Sequence, residues 1–311
     1  MNARVLFVDD EAIILKSLRL LFRGKYEIYT ATSGDEAIAI AESNSINVVV
    51  ADQRMPGMTG VELLKKLKEI SPSTVRILLT GYSDLQAIQS SVNESEVFRF
   101  INKPWDNYYL REIVDQAANL SVELNQPSQT IELHGGYPGF ETNLKQAKPA
   151  GAESCMIIDN ENGISEAMSD LYSGDMKILH ARNLGEALKM LHLHNIVLII
   201  SETEIAGQDV SEFLHLLKHE HPSIMTIIIS KTMDFLSIQH FINHVQIFRF
   251  LPKPIKKGLL RISIDSALKK RFELKSRPRT KELYTVDKLK KYKNPAHIIP
   301  LLIGVKNLLA R

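Results

Sequence analysis

The chain has 311 residues, 44% apolar and 24% charged, with a net charge of +2. This is the composition of a soluble globular protein long enough for two domains, and it excludes a chain committed by bulk charge to one class of partner. One cysteine, Cys155, excludes an internal disulfide framework; with no signal-peptide h-region and no apolar run long enough for a membrane span, the expectation is a cytoplasmic protein.

In chain order, "RVLFV" (4–8) predicts a strand that ends in Asp9-Asp10-Glu11, carboxylates suited to a helix N-terminus. "AIILKSLRLLF" has helical spacing and stops at Gly24. "YEIYT" reads as a strand, and "SGDEAIAIAES" as a helix opened by a capping serine. "INVVVA" reads as a fully buried strand, and "GVELLKKLKEI" as an amphipathic helix stopped before Pro72. "TVRILLT" is a strand, 84–92 a helix, "VFRFI" a strand and 106–125 a helix. Five strands alternating with five helices predict a parallel sheet covered on both faces. Residues 127–153 are rich in Gly, Pro and polar residues without periodicity, which predicts a linker.

The chain then repeats itself at an offset of 150 residues, without a gap. Asp9 falls on Asp159, Glu11 on Glu161, Gly57 on Gly207, Pro72-Ser73 on Pro222-Ser223, and "VFRFINKP" (97–104) on "IFRFLPKP" (247–254). A register kept over about a hundred positions marks a duplicated domain. The run "IISETEIAG" (199–207) reads as a buried strand breaking into a turn that holds Glu202 and Glu204, opposite "VVADQRMPG" (49–57). The expected organisation is α/β, with domains at 1–126 and 154–275 and a basic tail at 276–311.

Ligands of an open parallel sheet collect beyond the carboxyl ends of the strands. Asp9 and Asp10 stand there after the first strand and Asp52 after the third; Thr80 ends the fourth and Lys103 the fifth. Three clustered carboxylates repel one another, and a hard cation such as Mg²⁺ suits an all-oxygen site. With such a cation a carboxylate can act as nucleophile on a phosphoryl group, while Lys103 and the Thr80 hydroxyl stabilise the transferred oxygens.

These residues, in "VDDE" (8–11), "ADQRMPGMTG" (51–60), "LLTGYSD" (78–84) and "FINKPW" (100–105), resemble those of response-regulator receiver domains, the phospho-accepting modules of two-component signalling. The resemblance covers about 120 residues of each half and implies two flavodoxin-like (βα)5 doubly wound sheets in tandem, strand order 2-1-3-4-5. It implies that Asp52 is the phospho-acceptor, that Asp10, Asp52 and the Arg54 main-chain carbonyl bind Mg²⁺ directly, and that Asp9 acts through water. It further implies that Thr80 and Lys103 meet the phosphate, that Lys103-Pro104 is cis, and that Thr80 and Phe100 form the switch. The bulky Arg54 and Tyr82 would flank the line of water attack and slow self-dephosphorylation. In the second half Asp159, Asn160, Glu202, Ser230 and Lys253 take the equivalent places, a degenerate site in which Glu202 is expected to reach Lys253. The expected partners are a sensor histidine kinase or phosphotransfer protein, with output through protein contacts rather than catalysis.

Other signals are weaker. His215 and His219 have metal-compatible spacing, but their equivalents Lys65 and Glu69 point to a solvated helix face and against a metal. Trp105 and Tyr108-Tyr109 are read as packing. The tail carries most of the thirteen Lys/Arg, against three acids, found between Lys269 and Arg311. Docking on the receivers is its preferred role, with a homodimer contact, nucleic acid or an acidic membrane surface as the others; nucleic acid is disfavoured because no helix-turn-helix pattern is present. The rival reading of the whole, the regulatory part of a cyclic-dinucleotide phosphodiesterase or cyclase, finds no "GGDEF", "HD…GYP" or P-loop within the chain.

Overall fold

Strand β1 (Arg4–Val8) pairs in parallel with β2 (Glu27–Ala31) on one side and β3 (Val48–Asp52) on the other, and β4 (Val75–Thr80) and β5 (Arg99–Asn102) extend the sheet. The computed structural model describes residues 3–81, 93, 95–125, 153–172, 176–231 and 235–276. Helices α1 (Ala12–Leu21), α2 (Gly34–Ser43), α3 (Gly60–Ile70) and α4 (Asn107–Asn125) flank this sheet, whose order is β2-β1-β3-β4-β5. The helix expected at 84–92, nearly all of the linker and residues 277–311 of the tail lie outside the described residues.

β3 and β4 are buried at every position, as strands covered on both faces must be. Ser33 caps α2 by accepting the Glu36 N–H. Thr59 and Glu62 form a capping box at α3, contributing about 1 kcal/mol at the turn that follows β3.

The second sheet is built from β6 (Ser154–Ile158), β7 (Lys177–Ala181), β8 (Ile196–Glu202), β11 (Met225–Ser230) and β12 (Arg249–Pro252), all parallel, in the matching order β7-β6-β8-β11-β12. Its helices are α5 (Gly163–Leu171), α6 (Leu184–Leu193), α7 (Ser211–Glu220), α8 (Phe235–His240) and α9 (Lys257–Ser276). Among the described residues no helix is long and apolar enough to cross a membrane.

Three expectations need correction. The segment after β8 is not a simple turn: β9 (Glu204–Ile205) and β10 (Gln208–Asp209) form a small antiparallel hairpin around Ala206 and Gly207, both at positive φ. The α7 face at His215 is buried rather than solvated, because α7 packs on the π-helical turn Phe241–Val245, and His215 Nδ1 meets the His244 carbonyl. Tyr108 is 86% exposed and so is not a packing residue, whereas Trp105 lies against the core.

The two halves share one apolar layer, in which Val97 and Phe100 join Ile238, Phe241, Val245 and Phe250. Polar bonds frame it. Asn243 donates from Nδ2 to the Phe100 carbonyl (2.8 Å) and accepts the Phe100 N–H at Oδ1 (2.9 Å). Reciprocally, Asn93 donates to the Phe250 carbonyl (3.2 Å) and accepts its N–H (3.3 Å). Lys270 of α9 reaches Glu96 across the same boundary at 2.8 Å.

Candidate functional site at the strand ends of the first sheet

Each side chain at this site is delivered by the end of a strand. Asp9 follows β1, Asp52 closes β3, Thr80 closes β4 and Lys103 follows β5. Asp9, Asp52 and Thr80 are buried, while Asp10 and Arg54 are exposed. Lys103 Nζ lies 2.8 Å from Asp9 Oδ2 and 2.8 Å from Asp52 Oδ1. Its main-chain N–H donates to the Thr80 carbonyl at 2.9 Å, and the Lys103-Pro104 peptide is cis. Thr80 Oγ1 donates to the Gly81 carbonyl at 3.3 Å.

Burial, the largest influence, raises the Asp52 pKa with help from the Asp9 charge, and the Lys103 hydrogen bond and charge offset this only in part. Burial also works against the Lys103 charge, yet hydrogen bonds to Asp52 and Asp9 raise its pKa overall. Both directions follow from one cation serving two buried carboxylates. The pocket keeps an excess of negative charge, and ligand oxygens of Asp9, Asp10 and Asp52 all lie within 4.8 Å of one another. A hard, oxygen-preferring cation fits that donor set.

The loop after Asp52 is fixed by Gln53, which sequence reasoning missed. Its N–H donates to the Leu79 carbonyl (2.9 Å), its carbonyl accepts the Gly60 N–H (3.1 Å), and its side chain accepts the Val61 N–H (3.2 Å). Gly60 is required here, since a Cβ would stand 2.3 Å from the Asp52 carbonyl oxygen.

Known proteins share the sequence of this half. Residues 5–115 match the response regulator receiver domain. The sporulation initiation phosphotransferase F of Bacillus subtilis is 33% identical over 115 residues, 37% of this chain and 92% of that protein. The chain belongs to the response-regulator receiver family. The hydrogenase transcriptional regulatory protein HoxA of Cupriavidus necator is 42% identical over 154 residues, 49% of this chain and 32% of HoxA, so the chain spans about a third of that relative's length. A solved receiver domain protein from Clostridium thermocellum is 33% identical over 39% of this chain and 98% of its own, with a TM-score of 0.37.

Beside the receiver site, the corresponding strand ends of the second sheet look different. Lys253 Nζ is 2.9 Å from Asp159 Oδ2 and 3.3 Å from Glu161 Oε2, and it is ion-paired to Glu202. Burial opposes the Lys253 charge, but hydrogen bonds to Glu202 and Asp159 raise its pKa. Asp159 and Ser230 are buried and Asn160 is exposed. In the receiver, Phe100 is fully buried, within the apolar layer that the two halves share. Tyr82 lies outside the described residues.

Proposed function

We propose that Asp52 accepts a phosphoryl group from a phosphohistidine of a sensor kinase or phosphotransfer protein. An Asp52 carboxylate oxygen forms the new O–P bond, the P–N bond breaks, and the donor imidazole leaves with the electron pair. Lys103, already within 2.8 Å of Asp52, holds positive charge where the transferred oxygens arrive, and the Thr80 hydroxyl offers a donor beside it. Asp9, Asp10, Asp52 and the Arg54 carbonyl would hold Mg²⁺, which when bound supplies charge neutralisation to the transferred oxygens. The observation that carries the reading is Lys103 bridging Asp9 and Asp52 in a pocket of three converging acids.

On this reading 1–126 is the active receiver and 154–275 a pseudo-receiver, in which Glu202 replaces the acceptor and occupies Lys253. The protein is a cytoplasmic response regulator that signals through protein contacts, with Thr80 and Phe100 as switch residues, and does not itself catalyse turnover of a substrate. The test is intact mass after incubation with acetyl phosphate and Mg²⁺. One added phosphoryl group is expected on the wild-type chain and none on Asp52→Ala; undiminished phosphate on the variant overturns the reading. A transcriptional role is the second reading, favoured by the name of HoxA. Salt-dependent retention of duplex DNA by the chain would support it over protein-only output.

A further inference from the structure

The outer edge of β5 does not face solvent. A strand edge presents unpaired main-chain groups, and here side-chain amides of the second half meet them one by one. Gln246 Nε2 donates to the Phe98 carbonyl at 3.3 Å. Asn243 takes both the N–H and the carbonyl of Phe100. Gln239 Nε2 is a second, longer donor to the Phe100 carbonyl (3.4 Å), and Gln239 Oε1 accepts from the Asn102 side chain at 2.9 Å. Asn243 and Gln246 are themselves buried, and Asn243 sits within the π-helical turn Phe241–Val245, a local helix form often found at functional positions. The contact is asymmetric in strength: the Asn243 bonds to Phe100 are 0.3 Å or more shorter than the Asn93 bonds to Phe250.

From this geometry we infer that the second half is the receiver's resident effector. It reads the state of Asp52 through the Phe98–Asn102 edge, closed while Asp52 is unmodified and opened by its phosphorylation. The inference rests on Asp52 being the acceptor. β5 is four residues long, and Lys103 follows it directly. Lys103 Nζ now holds Asp9 and Asp52 together. A dianionic group on Asp52 enters that ion pair, and Lys103 must move to pair with it. The next residue back, Asn102, is in the interface through Gln239, and its Oδ1 is buried with no hydrogen-bond partner among the described residues. The edge is therefore weakest where the displacement arrives, and the Phe100 amide pair lies two residues further along. Amide hydrogen bonds lose strength within a few tenths of an ångström, so a small shift of β5 releases the pair. By linkage, weakening the interface must in turn favour phosphorylation.

The experiment uses the full chain with acetyl phosphate and Mg²⁺. Amide hydrogen exchange over residues 98–102 and the phosphorylated fraction, from intact mass, are read on the same samples. Phosphorylation of the wild type is expected to speed exchange there about fivefold or more. Asn243→Ala should reproduce that exchange without a phosphodonor and raise the phosphorylated fraction once it has levelled off, because linkage fixes populations rather than rates. Asn93→Ala should expose Phe250 and leave Phe100 protected. Should Asn243→Ala fold poorly, Asn243→Leu removes both Asn243 hydrogen bonds to Phe100 at a similar side-chain size. Unchanged exchange in phosphorylated wild type overturns the inference, and so does an Asn243 variant that opens the edge without changing phosphorylation. Failure of the wild type to gain phosphate overturns the Asp52 reading and the coupling with it, while exchange in the Asn243 variant separately reports whether the contact holds.

Discussion

Glu202 is ion-paired to Lys253 where, 150 residues earlier, Asp52 is paired to Lys103. Both acids reach their lysine despite the difference of one methylene, and Lys253 also holds Asp159 and Glu161. The second site thus places its cation among three acids of its own.

The first prediction orders two substitutions at that site. Glu202→Gln leaves Lys253 with Asp159 and should destabilise the chain by about 1 kcal/mol. Lys253→Met strands Asp159 and Glu202 without their cation and should cost about 3–5 kcal/mol. Urea denaturation of the full chain by circular dichroism measures both, and equal losses would argue against Lys253 as the hub.

The magnesium site of the proposed function can be tested through Trp105, the one tryptophan, which lies two residues after Lys103. Its fluorescence should change saturably as Mg²⁺ is added. Asp10→Asn should weaken the apparent affinity about tenfold, whereas Glu202→Gln should leave the curve in place. A response insensitive to Asp10→Asn would move the metal elsewhere.

Gly60→Ala tests how closely α3 must approach β3. The added methyl would meet the Asp52 main chain, which cannot swing aside as a side chain can. A loss of about 1–3 kcal/mol is expected, together with slower phosphate uptake on Asp52. Wild-type stability and uptake in this variant would mean that the turn relaxes freely.

Glu96 sets a pH dependence for the boundary between the halves. Burial alone would raise its pKa, but Lys270, Lys68 and Arg76 outweigh burial and hold it at about 2. A carboxylate depressed in the folded state stabilises above its unfolded value, near 4.5, and loses that contribution as pH falls towards 2. The full contribution is about 3 kcal/mol at most. Melting temperatures from pH 5 to pH 2 should fall more steeply for the wild type than for Glu96→Gln, and parallel curves would remove Glu96 from the account.

Much of the first sheet was legible because its inner strands are apolar on both faces and its helices carry period and caps. "VVVA" before Asp52 has no polar residue to place on a solvent face, and "GVELLKKLKEI" begins and ends where α3 does. The strand-end acids, threonine and lysine could be placed because a parallel sheet sends every strand's carboxyl end to the same side. The hairpin at Glu204–Asp209 was not legible. Its turn puts Ala206 and Gly207 at positive φ, without the Asn-Gly or Asp-Gly that normally announces such a turn. In the first half the place of Ala206 is taken by Pro56, whose ring forbids that φ. The amide contacts between the halves were also hidden. Asn93 does fall on Asn243 at the repeat offset, but a matched polar residue carries no periodicity to say what it faces.

The reciprocal asparagines have a consequence for competition. Because both edges belong to one chain, the partner of β5 is present at an effective concentration on the millimolar scale at any protein dilution. A contact too weak to hold two separate molecules together can therefore stay closed. Any outside protein that docks on Phe98–Asn102 must first displace a tethered rival, and its apparent affinity falls by the fraction of time that the rival is away. A fewfold change in the internal contact then becomes a fewfold change in the binding of every such competitor.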